Sequence, residues 1–105
     1  MIKVKVKKTN EKIINISFLG HALYDDYGRD IVCAAVSSCV ITSLNLITRN
    51  NPDSIKIKEE KNGLNVEVLN YDDFNFKVLI NMLESLKEIE ITYPKNISIK
   101  EEIIC

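Results

Sequence analysis

Residues 20–37, GHALYDDYGRDIVCAAVS, hold the only histidine of the chain, His21, and a cysteine twelve positions later, Cys33. The cysteine falls where a glycine-containing loop turns into a helix. Backbone N–H groups in a helix's first turn lack intrahelical partners, and the helix dipole is positive there. Both favour a thiolate and pull a cysteine pKa below its ordinary ~8.5. A nearby imidazole can take the thiol proton and later give it to a leaving amine. The same N–H groups can stabilise the oxyanion formed when a thiolate attacks a carbonyl. That chemistry is acyl transfer through a thioester, with His21 and Cys33 as the catalytic pair and no metal or other cofactor.

Spacing adds neighbours to the thiol. Asp30 is three before Cys33 and Ser37 is four after, so a helix puts all three on one stripe. Val32, Val36, Val40 and Leu44 turn inward. Ala34 and Ala35 are small enough for close approach of a sheet or a peptide. Gly20 and Gly28 bracket a loop long enough to return the chain to the sheet edge, so His21 and Cys33 can meet. The loop residues Leu23, Tyr24, Asp25, Asp26 and Tyr27 can fold over a peptide. Spacing alone leaves a buried structural cysteine open as the other reading. Asp30 is a supporting group or a plain N-cap; unpaired, its charge would raise the thiol pKa. Cys39, deeper in the helix, reads as core, Cys105 as a frayed terminal thiol, and Asp25 and Asp26 as a solvated loop.

The elements that position these residues follow from hydrophobic period. Ile2, Val4 and Val6 alternate with Lys3, Lys5 and Lys7, which marks a strand with one wet face. Lys8 extends that lysine row, for which an RNA contact is the minority reading. After a polar turn at Thr9 and Asn10, Ile14, Ile16 and Phe18 form a second strand and a hairpin. Gly20 ends it, and the loop runs from about His21 to Gly28. A helix capped by Asp30 runs to about Arg49, where Asn50, Asn51 and Pro52 stop it. The pattern then recurs. Ile55 and Ile57 start a third strand, Asn62-Gly63 supply positive-φ turn residues, and Leu64, Val66 and Val68 form a fourth strand. Asp72 or Asp73 caps a second helix whose stripe is Phe76, Leu79, Leu83 and Leu86. Tyr93-Pro94 breaks it, and Ile97 and Ile99 make a short last strand. The expected fold is α+β: two ββα-like halves, a mixed sheet and two main helices in a single domain over residues 1–105. The second half has no histidine or cysteine at its strand-to-helix joint, so any chemistry belongs to the first.

The whole chain sets limits. Its 105 residues suffice to bury roughly 65% of the unfolded surface in one core. A net charge of −1 demands no nucleic-acid partner, and direct RNA binding is not required. Three cysteines without paired spacing point to a reducing cytoplasm. Cys33 and Cys39, six apart, fit zinc-ligand spacing poorly, so no metal site is expected. MIKVKVKK alternates charge and apolar residues and is no signal peptide. Ile31 to Thr48 carry no charge, yet Ser37, Ser38, Thr42, Ser43, Asn45 and Thr48 make the stretch too polar to span a membrane. It reads as a helix buried in a soluble core.

Gly20-His21-Ala22 followed by Gly28, Asp30, Ile31, Val32, Cys33, Ala34, Ala35, Val36 and Ser37 resembles the signature of the Prp family, the bacterial ribosomal-processing cysteine proteases. The length and the two-halved layout fit over essentially the whole chain. The resemblance implies an endopeptidase that removes the N-terminal extension of a large-subunit ribosomal protein, number twenty-seven, in Firmicutes and their relatives. It implies Cys33 as nucleophile, His21 as base and acid, a cytoplasmic homodimer, and a mobile loop over residues 22–28. Asp30 and Ser37 match further motif positions. The loop's LYDDY is more acidic than the family pattern, so its contacts do not carry over residue by residue. The rival is a non-enzymatic ribosome-assembly or RNA-contacting module, which has no need for both His21 and Cys33.

Overall fold

The computed structural model describes residues 1–10, 12–20 and 31–104. Seven elements follow in chain order: β1 (Ile2–Thr9), β2 (Lys12–Leu19), α1 (Ile31–Asn50), β3 (Ile55–Glu60), β4 (Gly63–Val68), α2 (Asp73–Thr92) and β5 (Ile97–Ile103). The ββα-ββα-β order read from period is the order observed. The strands form one mixed sheet, β3-β4-β2-β1-β5, in which only β5 runs parallel to its neighbour β1.

The two ββα halves meet at β2 and β4, which pair antiparallel with Leu19 opposite Gly63 and Asn15 opposite Glu67. The end of β2 therefore lies beside the start of β4, and the two strand-to-helix joints lie at opposite ends of the sheet. Alternation decides which sheet face is covered. Ile2, Val4, Val6, Ile16, Phe18 and Val66 are buried with Val36, Val40, Leu44 and Ile47 of α1 and Leu79, Met82, Leu83 and Leu86 of α2. Each fully buried side chain of this kind contributes about 1.5–3 kcal/mol. Lys3, Lys5 and Lys7 point the other way, into solvent.

The cap of α2 is Asp72, not Asp73. Its extended backbone (φ −138°, ψ 121°) lets the carboxylate accept from the Asn75 N–H at 3.0 Å. Backbone hydrogen bonding from Asn75 and the Asn51 side chain hold the Asp72 carboxyl below the usual carboxylate range. On the edge strand β5, Glu101 bonds Lys87 at 3.1 Å and Lys8 at 3.3 Å, which likewise lowers its pKa.

Two expectations need correction. In the β3–β4 hairpin Glu60 pairs with Gly63, so the turn is Lys61-Asn62, and Asn62 alone takes positive φ (68°). Gly63 is needed for a different reason: a Cβ there would strike the Phe18 carbonyl oxygen of β2. The second correction concerns α1, which is buried on one stripe only: Val32, Val36, Val40, Leu44 and Ile47. Ile31, Ala34, Ala35, Ile41 and Leu46 are exposed. A two-layer fold covers a helix on one side, so an uncharged sequence is not by itself a buried one. The alanines thus face solvent and do not mediate approach of the sheet. The helix is long and apolar enough to cross a membrane by length and composition, with 28% of that window buried.

Candidate active site

Cys33 is the third residue of α1 and sits in its first turn, half-buried. That turn contains no acidic residue, so nothing within it opposes the dipole's preference for an anion. The valine stripe anchors this end of the helix: Val32 and Val36 are 4–5% exposed, and Cys33 packs on the edge of the core.

A cleft of about 280 Å³ opens beside the thiol. Cys33, Val36, Ser37, Val40 and Ile41 of α1 contribute one side, Ile2, Phe18 and Gly20 the strand ends, and Asn62, Gly63 and Leu64 the opposite side. The lining is mostly apolar with a thiol, a hydroxyl and an amide at intervals. Gly20 is fixed here by its backbone. Its φ is +87°, its N–H donates to the Asn62 carbonyl at 2.8 Å, and a Cβ would lie 2.6 Å from the Met1 carbonyl oxygen. Both the sign of φ and the lack of room require glycine.

Of the residues singled out by sequence, the structure brings Gly20, Cys33 and Ser37 to one cleft. His21, Ala22, Leu23, Tyr24, Asp25, Asp26, Tyr27, Gly28 and Asp30 lie outside the described residues. The other wall was missed. Asn62, Gly63 and Leu64 belong to the second half, which sequence reasoning treated as free of the site. Their only signal was an Asn-Gly turn, and nothing local says which strand that turn will face.

Cys39 is a different kind of cysteine. It is half-buried against α2, its Sγ lying 3.9 Å from the Met82 carbonyl oxygen. Burial pushes its thiol pKa up, and a hydrogen bond with Ser43 only partly offsets this. A thiol held neutral in this way is a poor nucleophile.

A family model described as Cysteine protease Prp matches residues 1–98. A relative from Staphylococcus aureus (strain NCTC 8325 / PS 47), named ribosomal processing cysteine protease Prp, is 34% identical over 101 residues, covering 92% of this chain and 95% of the relative. One of the same name from Mycoplasma genitalium is 36% identical over 96 residues, covering 85% and 94%. Among solved structures, the S. aureus protease with a covalently linked product peptide superposes with a TM-score of 0.90 at 29% identity, covering 97% of this chain and 100% of that one. The same protease with a substrate peptide gives 0.86 at 28% identity, with the same coverage. The match runs through both halves and the α1 joint alike, and the chain belongs to the Prp family of cysteine proteases.

Proposed function

We propose that this protease removes the N-terminal extension of large-subunit ribosomal protein twenty-seven, with Cys33 as nucleophile and His21 as general base and acid. The observation that carries the reading is the position of Cys33 in the first turn of α1, lining an apolar cleft whose other edge is Gly20, the residue before His21. The relatives' names supply the ribosomal processing, and the two peptide complexes of the S. aureus protease support a peptide occupant for the cleft.

In this mechanism His21 takes the Cys33 proton and the thiolate attacks the peptide carbonyl. N–H groups of the first helical turn stabilise the resulting oxyanion. His21 then protonates the departing amine, and water hydrolyses the thioester. The lining from Phe18, Val40, Ile41 and Leu64 suits an apolar side chain next to the scissile bond. Ser37, one helical turn beyond Cys33, is within the same cleft as a supporting group; Asp30 and the loop over residues 22–28 complete the proposal as cap and substrate cover.

The test is incubation with the extended ribosomal protein of the same organism and a mass-spectrometric reading of its N-terminus. Wild type trims the extension; Cys33→Ala and His21→Ala do not. Trimming that survives Cys33→Ala removes the mechanism, and an untouched substrate with wild type means that the protease acts on a different protein.

The proposal also takes residues 1–105 as one protease domain working as a cytoplasmic homodimer. The uncharged, exposed side of α1 through Ile31, Ala34, Ala35 and Leu46 supports a partner there. Sedimentation should show a dimer that Ala35→Glu shifts toward monomer; an unshifted dimer places the interface elsewhere.

A further inference from the structure

The sheet face turned away from the helices carries three cross-strand rungs, set by the observed registers. The central rung is Lys58, Asn65, Ser17, Lys5 and Lys100, running from β3 to β5. One flanking rung holds Lys56, Glu67, Asn15, Lys7 and Glu102; the other holds Glu60, Gly63, Leu19, Lys3 and Ser98. The central rung contains no acid. The face as a whole sets six lysines against three glutamates, a surplus of three positive charges on a chain whose net charge is −1. Among the described residues the ion pairs are Lys8–Glu101, Lys87–Glu101 and Lys77–Asp73, and none of the six face lysines enters one. Between the lysines lie neutral polar groups on a braced floor: Asn15 and Asn65 exchange amide hydrogen bonds of 3.0 and 3.1 Å.

We propose that this open face docks the phosphate backbone of double-stranded RNA, independently of the Cys33 cleft. Successive face lysines on one strand stand about 6.7 Å apart, and the central rung spans roughly 19 Å across four strand spacings. That is an array of cations not committed to ion pairs among the described residues, with hydroxyl and amide groups between them able to meet phosphate and 2′-OH oxygens. The described face has no aromatic side chain, so it offers no platform for unstacked bases and reads the backbone of a duplex, not a sequence. The choice of RNA over an acidic protein rests on the proposed function, whose substrate is a ribosomal protein; the charge array does not.

The experiment titrates Cys33→Ala protein, without peptide substrate, into a fluorescein-labelled 20-base-pair RNA duplex and follows anisotropy at several salt concentrations. We expect binding at 50 mM salt with a log–log salt slope of about −3, as for roughly three phosphates neutralised. Lys5→Gln/Lys58→Gln/Lys100→Gln should weaken it about tenfold or more, while Arg49→Gln/Lys77→Gln/Lys95→Gln, none of them in the three rungs, changes it less than about twofold. The triple Lys→Arg variant at the face positions should retain binding, which separates lost charge from lost fold. No binding at 50 mM salt, equal losses in the two glutamine triples, or equal affinity for a polyglutamate peptide of matched charge each overturns the proposal. Because no substrate is present, a failed titration leaves the processing assay untouched, and a failed processing assay leaves the titration standing.

Discussion

The two strand-to-helix joints differ in almost everything except their place in a ββα unit. Four residues, 69–72, link β4 to α2, while eleven, 20–30, link β2 to α1. The third residue of α2 is Asn75, only 2% exposed; the third residue of α1 is Cys33, half-buried at an open cleft. Asn75 donates to the Ser54 hydroxyl at 2.7 Å and to the Ile47 carbonyl at 3.3 Å, and accepts from Asn50 at 3.0 Å. Asn51 reaches the Asp72 cap at 3.2 Å. The second joint is thus tied to the end of α1 by polar groups that satisfy one another. The second joint also has a cleft, of about 180 Å³, lined in part by Tyr71 and Phe76, whose rings are tilted with centres 5.6 Å apart, and Lys12 sits 4.8 Å from the Tyr71 ring. Here the same supersecondary unit serves twice, once as a polar lock and once as the mount of a half-buried cysteine beside a cleft. Under the proposed function the chemistry falls at the first joint, while the second is held by its own polar contacts.

The sharpest way to break this contrast is to exchange what each joint does. Cys33→Ala should lower kcat/KM by about a thousandfold or more, as losing a covalent nucleophile does. Its melting temperature should stay within a few degrees, because the thiol only edges the core. Cys39→Ser should keep kcat/KM within about twofold, since its thiol is held neutral against Met82. Peptidase assays on the three proteins decide the matter. A Cys39 variant as inactive as the Cys33 variant would mean that α1 holds a different nucleophile from the one proposed.

Asn75→Ala should do the reverse. It removes three hydrogen bonds made by a buried amide, to Ser54, Asn50 and the Ile47 carbonyl, at a cost of about 2–4 kcal/mol in all. The melting temperature should fall by roughly 10 °C or more. Activity per folded molecule should hold, because the cleft at Cys33, the proposed site, is at the other end of the sheet. If activity falls in step at temperatures where the variant is fully folded, the two joints are coupled and the division of labour is wrong.

How much of this was legible in the sequence depends on the range of the interaction that decides it. Period two in Ile2, Val4 and Val6 and the three- and four-residue steps of Leu79, Leu83 and Leu86 are local, so the element order could be read directly. The cluster of Gly20, Cys33 and Ser37 was legible because a helix fixes the phase of Cys33 and Ser37 and a strand end fixes Gly20. The partner of β2 is not local. That Leu19 pairs with Gly63 follows from sheet order, and no short window states it, so Asn62, Gly63 and Leu64 were read as a turn and not as a wall of the cleft. The exposed side of α1 was hidden for a similar reason: serines, alanines and isoleucines are compatible with burial, and only the number of covering layers decides.

Gly63 sharpens the comparison because it belongs to the second half by sequence and to the first half's cleft by position. Gly63→Ala drives a methyl group into the Phe18 carbonyl, and the β2–β4 seam must shift to admit it. Overpacking of this kind costs about 1–3 kcal/mol. Because Asn62 also accepts the Gly20 N–H, the shift should reach the glycine next to His21. Stability and kcat/KM should fall together, measured by thermal melting and peptide turnover on the same preparation. A variant that loses stability alone would confine Gly63 to a structural role.

The smallest expected effect is a pH dependence of the lock. The folded state holds the Asp72 carboxyl below its ordinary value through the Asn75 N–H and the Asn51 amide. The unfolded chain therefore binds a proton at this site at a higher pH than the folded chain does, so stability here rises with pH. The contribution is complete above the unfolded carboxylate value of ~3.9 and is lost as pH falls through the lower folded value. Asp72→Asn keeps one side-chain oxygen for the Asn75 N–H but loses the charge that favours the folded state, so the melting temperature at pH 7 should fall modestly. Between about pH 2 and 5 its melting curve should depend less steeply on pH than wild type, with the Glu101 clamp contributing to the dependence that remains. Parallel pH profiles for the two proteins would mean that the cap is held by its geometry alone, and that the second joint's lock carries no charge-dependent part.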